Sequence, residues 1–347
     1  MATQNISNLA NILRKRYAQM ITDAVTTRGP GNYESNPVSL FQPTSFLDLL
    51  RREGRISVGG HLDAGDKVWP VRSAGGAASS YAAEDVIPSA TNDTYAQATL
   101  SWARTRISME FDRLAREAAR GDRVVGDVDA IMVSFENKVK ALFSDIEDQL
   151  AGNGAGNDMD GFRSFLSDSN TYAGINQSTN AYWQAAEVDG GAGTLTRAMM
   201  NEVLRDMDNV GSSPTHILMG MTQAQKYAEL FTSGIQYPGG VNGNSHVLPA
   251  YQGIPVVIVN TMNAAGRGND EIFFIDINDL YLEFVNFQGE PSVGIDQAAQ
   301  ERFGMPIGID HEYTGKDKDL LVLKSYHRFC AKNPKKHGVL INLSTSF

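Results

Sequence analysis

Between Asp127 and Ala151, apolar residues recur at i, i+3, i+4 and i+7. Val128, Ile131, Met132, Phe135, Val139, Leu142, Phe143, Ile146 and Leu150 make one stripe, while Asp129, Glu136, Lys138, Lys140, Asp145 and Asp148 take the other side. Asp127 is placed to accept from the first-turn amides, and Gly152 ends the run. At 1.5 Å per residue this predicts a rod about 37 Å long, longer than most globular helices. Such a rod needs an apolar surface along one whole side. Asp145, Glu147 and Asp148 read as its solvated face. A shorter helix is expected ahead of it, around Ser108–Arg120.

The segments on either side are of different kinds. Residues 1–50 read as an arm: Ile6, Leu9, Ile12 and Leu13 have helical spacing, and a weaker stripe continues through Tyr17 and Ile21. From Thr26 to Pro43 the chain is punctuated by Gly29-Pro30-Gly31, Asn36-Pro37 and Gln42-Pro43. A short helix over Ser45–Glu53 closes the segment. Such an arm cannot bury its own apolar residues and needs another surface. Residues 55–107 read as a long β-excursion. Lys67–Arg72 is one strand, with Pro70 at a tolerated edge position. Ala96, Ala98, Leu100 and Trp102 alternate with Gln97, Thr99, Ser101 and Ala103 in the other. The small-residue run Ser73–Ser80 makes the tip. A two-stranded hairpin is marginal alone, and Trp69 and Trp102, two of the three tryptophans, sit on this one and need cover. A neighbouring subunit is the expected source of that cover.

After the Gly/Asn-rich break Gly152–Gly161, residues 194–314 read as an α/β unit. A helix over Leu195–Val210 precedes Pro214 and the strand Thr215–Met219. Thr222-Gln223-Ala224-Gln225 has a capping-box pattern opening a helix to Phe231. Strands follow at Ile254–Val259, Glu271–Ile277 and Tyr281–Val285. The closing stretch Asp319–Leu343 alternates around Leu321, Leu323 and Tyr326, turns at Asn333-Pro334 and returns through Gly338–Leu343.

Composition narrows the function. With 347 residues, 42% apolar and 20% charged, the chain is an ordered protein of about two domains. Its single cysteine, Cys330, excludes an internal disulfide and a CxxC metal site. The longest aliphatic run, Ile254–Val259, is too short to cross a bilayer, and no apolar signal core opens the chain, so no membrane partner is expected. The net charge of −10 is uneven: +2 over residues 1–123, −17 over 124–314 and +5 over 315–347. The acidic block argues against a chain-wide nucleic-acid binder, which needs a basic surface.

No catalytic constellation emerges. Gly152–Gly156 follows a helix, whereas phosphate-cradling loops follow a strand and open one. Asp158-Met159-Asp160-Gly161 has Ser169 where a calcium loop needs a bidentate Glu. Gly243-Asn244-Ser245-His246-Val247 lacks the last glycine of a nucleophile elbow, and His311-Glu312 has no second His at zinc-helix spacing. The histidines at 61, 216, 246, 311, 327 and 337 read as structural or solvated. Lys332 and His327 lie near Cys330 in sequence and could activate its thiol, but on a strand beside Tyr326 and Phe329 it reads as a buried structural thiol. The chain is expected to be no enzyme, with no cofactor and no metal.

The order of elements resembles a tailed-bacteriophage major capsid protein, the Hong Kong 97-type shell fold. The marks are the spine helix Asp127–Ala151, the helix–Pro–strand unit Leu195–Met219 with the helix Thr222–Phe231, and the strand entry Gly253-Ile254-Pro255-Val256. Tyr326-His327-Arg328 before Pro334, then Gly338-Val339-Leu340, looks like the family's C-terminal strands. The resemblance implies an α+β chain divided into an N-terminal arm (1–50), an extended loop (51–107), a peripheral domain with the spine helix (108–190), an axial α/β domain (191–325) and C-terminal strands returning to the peripheral domain (326–347).

It further implies self-assembly as pentamers and hexamers into an icosahedral shell that encloses double-stranded DNA without sequence-specific binding. The shell would be assembled in the host cytoplasm and carried in the virion. A scaffold, a portal and decoration proteins would be further partners. The chain begins directly with an arm, so the scaffold would be separate or a removed piece. Some family members weld shells through a lysine on the extended loop. Here residues 73–92 hold no lysine and Lys67 sits on the stem, so locking without a covalent bond is expected. Lys67, Trp69, Tyr81, Trp102, Arg104, Lys335 and Lys336 are the expected interface residues. The acidic block would repel packaged DNA, and the basic C-terminal strand would meet acidic neighbours. Two alternatives stand beside this reading: an encapsulin-like cargo compartment of the same fold, and a two-domain α/β enzyme.

Overall fold

The computed structural model describes residues 46–58, 65–75, 93–112, 125–230, 250–285, 308–313 and 318–346. Residues 1–45, the hairpin tip with Tyr81, and residues 113–124 lie outside them, as do His61 and His246. In chain order the elements are α1 (Phe46–Arg52), β1 (Ile56–Val58), β2 (Lys67–Ala74), β3 (Thr94–Leu100), β4 (Ala103–Asp112), the spine helix α2 (Val125–Ala151), the single turn α3 (Phe162–Phe165), β5 (Thr171–Tyr172), β6 (Ile175–Asn176), β7 (Ala186–Asp189), α4 (Arg197–Asn209) and β8 (His216–Met219). Then come α5 (Met221–Glu229), β9 (Val256–Ile258), β10 (Ile272–Ile275), β11 (Leu280–Phe284), β12 (Gly308–Tyr313), β13 (Lys318–Ala331) and β14 (Gly338–Ile341).

Two five-stranded sheets carry the body. In the first, β1, β11, β13 and β12 follow in order, and β4 pairs along β13. One face of this sheet is apolar. Leu282, Phe284, Leu321, Leu323, Phe329 and Met109 are buried in the same core as Phe135, Val139, Leu142, Phe143 and Ile146 of the spine. The second sheet runs β7-β14-β10-β8-β9 and is covered on both sides. Ile217, Met219, Ile272, Phe274 and Leu340 join Met200, Val203 and Met207 of α4, whereas Leu218, Phe273, Ile275 and Val339 join the spine-side core. Two-sided burial is why these strands read as continuous apolar runs rather than as alternations. Phe162 links the parts, its ring centroid 4.6 Å from Phe46, 5.8 Å from Phe273 and 4.8 Å from Phe329.

The spine helix and the hairpin stem form as their periodicities predict, β2 pairing antiparallel with β3 from Lys67↔Leu100 to Ala74↔Thr94. Five expectations are corrected. Residues 108–112, expected to be helical, continue β4, because that stretch pairs with β13 in one register from His327↔Ala103 to Lys318↔Asp112. The strand expected through Ala103 ends at Leu100, and Ser101-Trp102 breaks it before β4. The closing stretch is no hairpin: β13 belongs to the first sheet, while β14 lies between β7 and β10 of the second. Thr222 lies inside α5, whose N-cap is Gly220, and Asn263 Oδ1 accepts from Met221 N instead. Finally, Glu147 is not solvated. It is buried, and its carboxylate accepts from the amides of Phe46 (2.6 Å) and Leu47 (2.9 Å) and from Thr261 Oγ1 (2.7 Å). The end of the arm is thus core: Phe46, Leu47, Leu49 and Leu50 are at most 2% exposed.

Candidate assembly surface

The hairpin is docked at its base. Its strands alternate, so Lys67, Trp69 and Val71 of β2 and Ala96, Ala98 and Leu100 of β3 share the face turned to the body. Lys67 Nζ lies 2.5 Å from Glu283 Oε1 and 4.1 Å from the centre of the Tyr281 ring. Arg328 Nε donates to the other oxygen of Glu283 at 2.6 Å, and its guanidinium stacks 3.9 Å from the Trp102 ring centre. Trp102 Nε1 donates to Gly65 O, tying the two stem ends together. Trp69 packs 6.4 Å from Trp183 and donates to Lys332 O, and Thr99 N donates to Ala173 O. Both hairpin tryptophans therefore have cover from their own chain and are half-buried.

The expected interface residues separate into three groups. Lys67, Trp69 and Trp102 come together at this base. Arg104 is exposed on β4, 5.6 Å from the Tyr326 ring. Lys335 and Lys336 lie in the turn before β14: the Lys335 amide donates to Asn333 Oδ1, and Lys336 Nζ is 3.5 Å from Asp279. Tyr81 lies outside the described residues. Glu283 and Arg328, which join the hairpin to the first sheet, were missed from sequence. The run 280–284 carries the signal for Glu283, which is flanked by Leu282 and Phe284; Arg328, between His327 and Phe329, has a weaker one. On the far side of the hairpin, Val68 and Tyr95 stand open at 51% and 63% exposure, beside Pro70, Arg72 and Gln97.

Buried polar groups knit the body. His327 is fully buried. Gln149 Oε1, which accepts from Met159 N, also accepts a hydrogen bond from His327 Nε2 at 3.2 Å, leaving Nδ1 to accept from Ser325 Oγ. Burial without a charged partner pushes the imidazole down to about 3. Burial pushes the Cys330 thiol up to about 11, away from the reactive thiolate. Burial raises Asp279, but the hydrogen bond and charge of His337, the Asn333 amide and Lys336 together outweigh it and hold the carboxyl low. Among the described residues no three His, Cys, Asp or Glu side chains are grouped to hold a metal ion, and no helix is long and apolar enough to cross a membrane.

The sequence family described as SU10 major capsid protein matches residues 119–302, more than half of the chain. The chain belongs to that family. It is a structural major capsid protein of a tailed-phage virion, not an enzyme. Its fold is similar to that of the cyanophage A-1(L) capsid (13% identity, 90% of this chain and 97% of that one, TM-score 0.66). It is likewise similar to the capsid of a native GTA particle (11%, 91% and 95%, 0.57) and to Mycobacterium phage Adephagia (12%, 93% and 97%, 0.52). Among curated proteins none matches the sequence. At such identities the likeness shows the Hong Kong 97-type fold, and it covers nearly the whole chain.

Proposed function

We propose that this capsid protein assembles as pentamers and hexamers into an icosahedral shell around double-stranded DNA, built in the host cytoplasm with a scaffold, a portal and decoration proteins. The observation that carries the reading is the hairpin. One face is fixed to the body through Glu283, Arg328 and Trp183, while the other presents Val68 and Tyr95 to solvent. Exposed apolar side chains on the outer face of a two-stranded arm fit a contact with a second copy. Residues 1–50 are read as the N-terminal arm, 51–107 as the extended loop, 108–190 as the peripheral domain, 191–325 as the axial domain and 326–347 as the C-terminal strands. The second sheet, with α4 and α5 against it, supports the axial reading, although β14 adds a C-terminal strand to it. Locking without a covalent bond is supported by Lys67, whose ammonium is held by Glu283. Lys67, Trp69, Tyr81, Trp102, Arg104, Lys335 and Lys336 remain the proposed contact residues.

Size-exclusion chromatography and negative-stain microscopy of the purified chain test this. Rings or closed shells are expected. A discrete monomer or dimer under all conditions overturns it, and shells that package protein cargo rather than DNA move it to the cargo-compartment reading.

A further inference from the structure

The two edges of the hairpin are built differently. In an antiparallel pair, successive residues turn their N–H and C=O alternately toward the partner strand and away from it. Thr99 N donates to Ala173 O at 2.8 Å, so Thr99 is turned away from β2. By alternation Gln97 and Tyr95 are turned away as well, and so are their register partners Pro70 and Arg72 on β2. Pro70 fits this phase, because the residue with no N–H falls where the ladder asks for none. The outer edge of β2 thus carries a proline and a charged residue, two devices that keep a strand edge from pairing. β3 has neither: Thr94–Leu100 holds no charged residue, no proline and no glycine. Among the described residues its sheet is two-stranded, and along its outer edge it is Thr99 whose amide meets a backbone carbonyl of the body.

Beyond Thr99, toward the tip, the edge stays open. An unprotected strand edge is a template for pairing with another chain, and soluble proteins blunt or cover such edges unless a partner takes them. The Tyr95 ring, 63% exposed, stands on this strand where an added strand would lie against it. A partner present as often as the hairpin itself is a second copy of this chain, which membership of a major capsid protein family supplies. We propose that the outer edge of β3, from Tyr95 to Gln97, is a strand-addition site that pairs through its backbone with an extended segment of a second copy. This rests on the shell reading and deepens it. Main-chain bonds at this edge fix the register and direction of the contact, while Val68 and Tyr95 on the outer face add apolar area. Pro70 confines the addition to one side of the hairpin, so that copies join in one direction.

The test uses the full chain, assembled into particles from purified protein with nothing else added. Hydrogen exchange, read residue by residue through fragmentation, compares isolated subunits with particles. Ala96 and Ala98, which face β2, should be slow in both. Tyr95 and Gln97 should exchange freely in subunits and roughly tenfold or more slowly in particles. Gln97→Pro removes one edge N–H and no bond of the hairpin ladder, whereas Gln97→Ala removes the side chain and keeps the N–H. The proline variant should melt near wild type and need roughly tenfold more protein to assemble. The alanine variant should assemble as wild type does. Free exchange of Tyr95 and Gln97 in particles overturns the proposal. Slow exchange of both in isolated subunits overturns it as well, because the edge is then covered by its own chain. So does wild-type assembly of Gln97→Pro. Where Gln97→Pro melts well below wild type, the exchange comparison on the wild-type chain decides in its place. If wild type itself forms no particles, the shell reading fails first and this site falls with it. Particles whose β3 edge stays open leave the shell reading standing and overturn this site alone.

Discussion

Glu147 shows how much one side chain can hold together here. Its carboxylate receives two amides from the start of α1 and one hydroxyl from Thr261, so it fastens the arm's end and the second sheet's edge to the spine. Burial raises its carboxyl above the usual carboxylate range against the pull of those hydrogen bonds. Glu147→Ala orphans buried donors and is expected to cost about 2–4 kcal/mol of unfolding free energy by urea titration. His327 gives a pH prediction. Its folded value is about 3, against an unfolded 6.5, so the unfolded chain binds the extra proton between those limits. Stability is therefore full above about pH 6.5 and falls as pH drops toward 3, by at most about 1.4 kcal/mol per pH unit from this group. Urea midpoints at pH 7 and pH 5 should differ, and His327→Gln should narrow the gap. Neither role was legible in sequence. Helical spacing assigns Glu147 to the polar side of α2, and its amide partners lie 101 and 100 residues away.

At the scale of elements, the spine helix was readable because its nine apolar positions keep one period over seven turns. Its end depends on a contact that the period does not encode. A Cβ on Gly161 would meet Gln149 O at 2.3 Å, Leu150 O at 2.5 Å and Gly152 O at 2.6 Å, so the chain crosses the last carbonyls with no room for a side chain. Gly161→Ala is expected to cost about 1–3 kcal/mol by forcing the backbone apart, read as a lower thermal midpoint. The hairpin was legible from alternation alone, but its docking was not. Trp102→Ala removes the stacking partner of Arg328 and the tie to Gly65. The subunit should remain soluble and lose about 1 kcal/mol, while particle yield by microscopy drops. Deleting residues 73–92 should do the same, and normal particles from either change would sink the hairpin's part in assembly. β4 was misread beyond Ile107 because Ile107, Phe111 and Leu114 also fit a helical stripe, and only pairing with β13 selects the strand period.

For the molecule as a whole, the spine helix lies between two sheets that answer to different surroundings. The second sheet is sealed on both faces, whereas the first packs one face against the spine. Charge moved one expectation. Lys336 lies close to Asp276 and Asp279 of its own chain, so reversal at Lys335 and Lys336 is expected to reduce subunit stability through the turn before β14 as well as to alter assembly. Thermal melting alongside sedimentation separates the two effects. The amino-acid sequence by itself determined the spine helix, the hairpin stem, the α/β strand runs and the order of elements that resembles a shell protein. These rest on local periods and on neighbours along the chain. Tertiary structure alone decided that β13 and β14 part into different sheets, that Glu147 is buried, and that Glu283 and Arg328 hold the hairpin. Each of these depends on which distant segment fills the other side of a side chain, and no period carries that information.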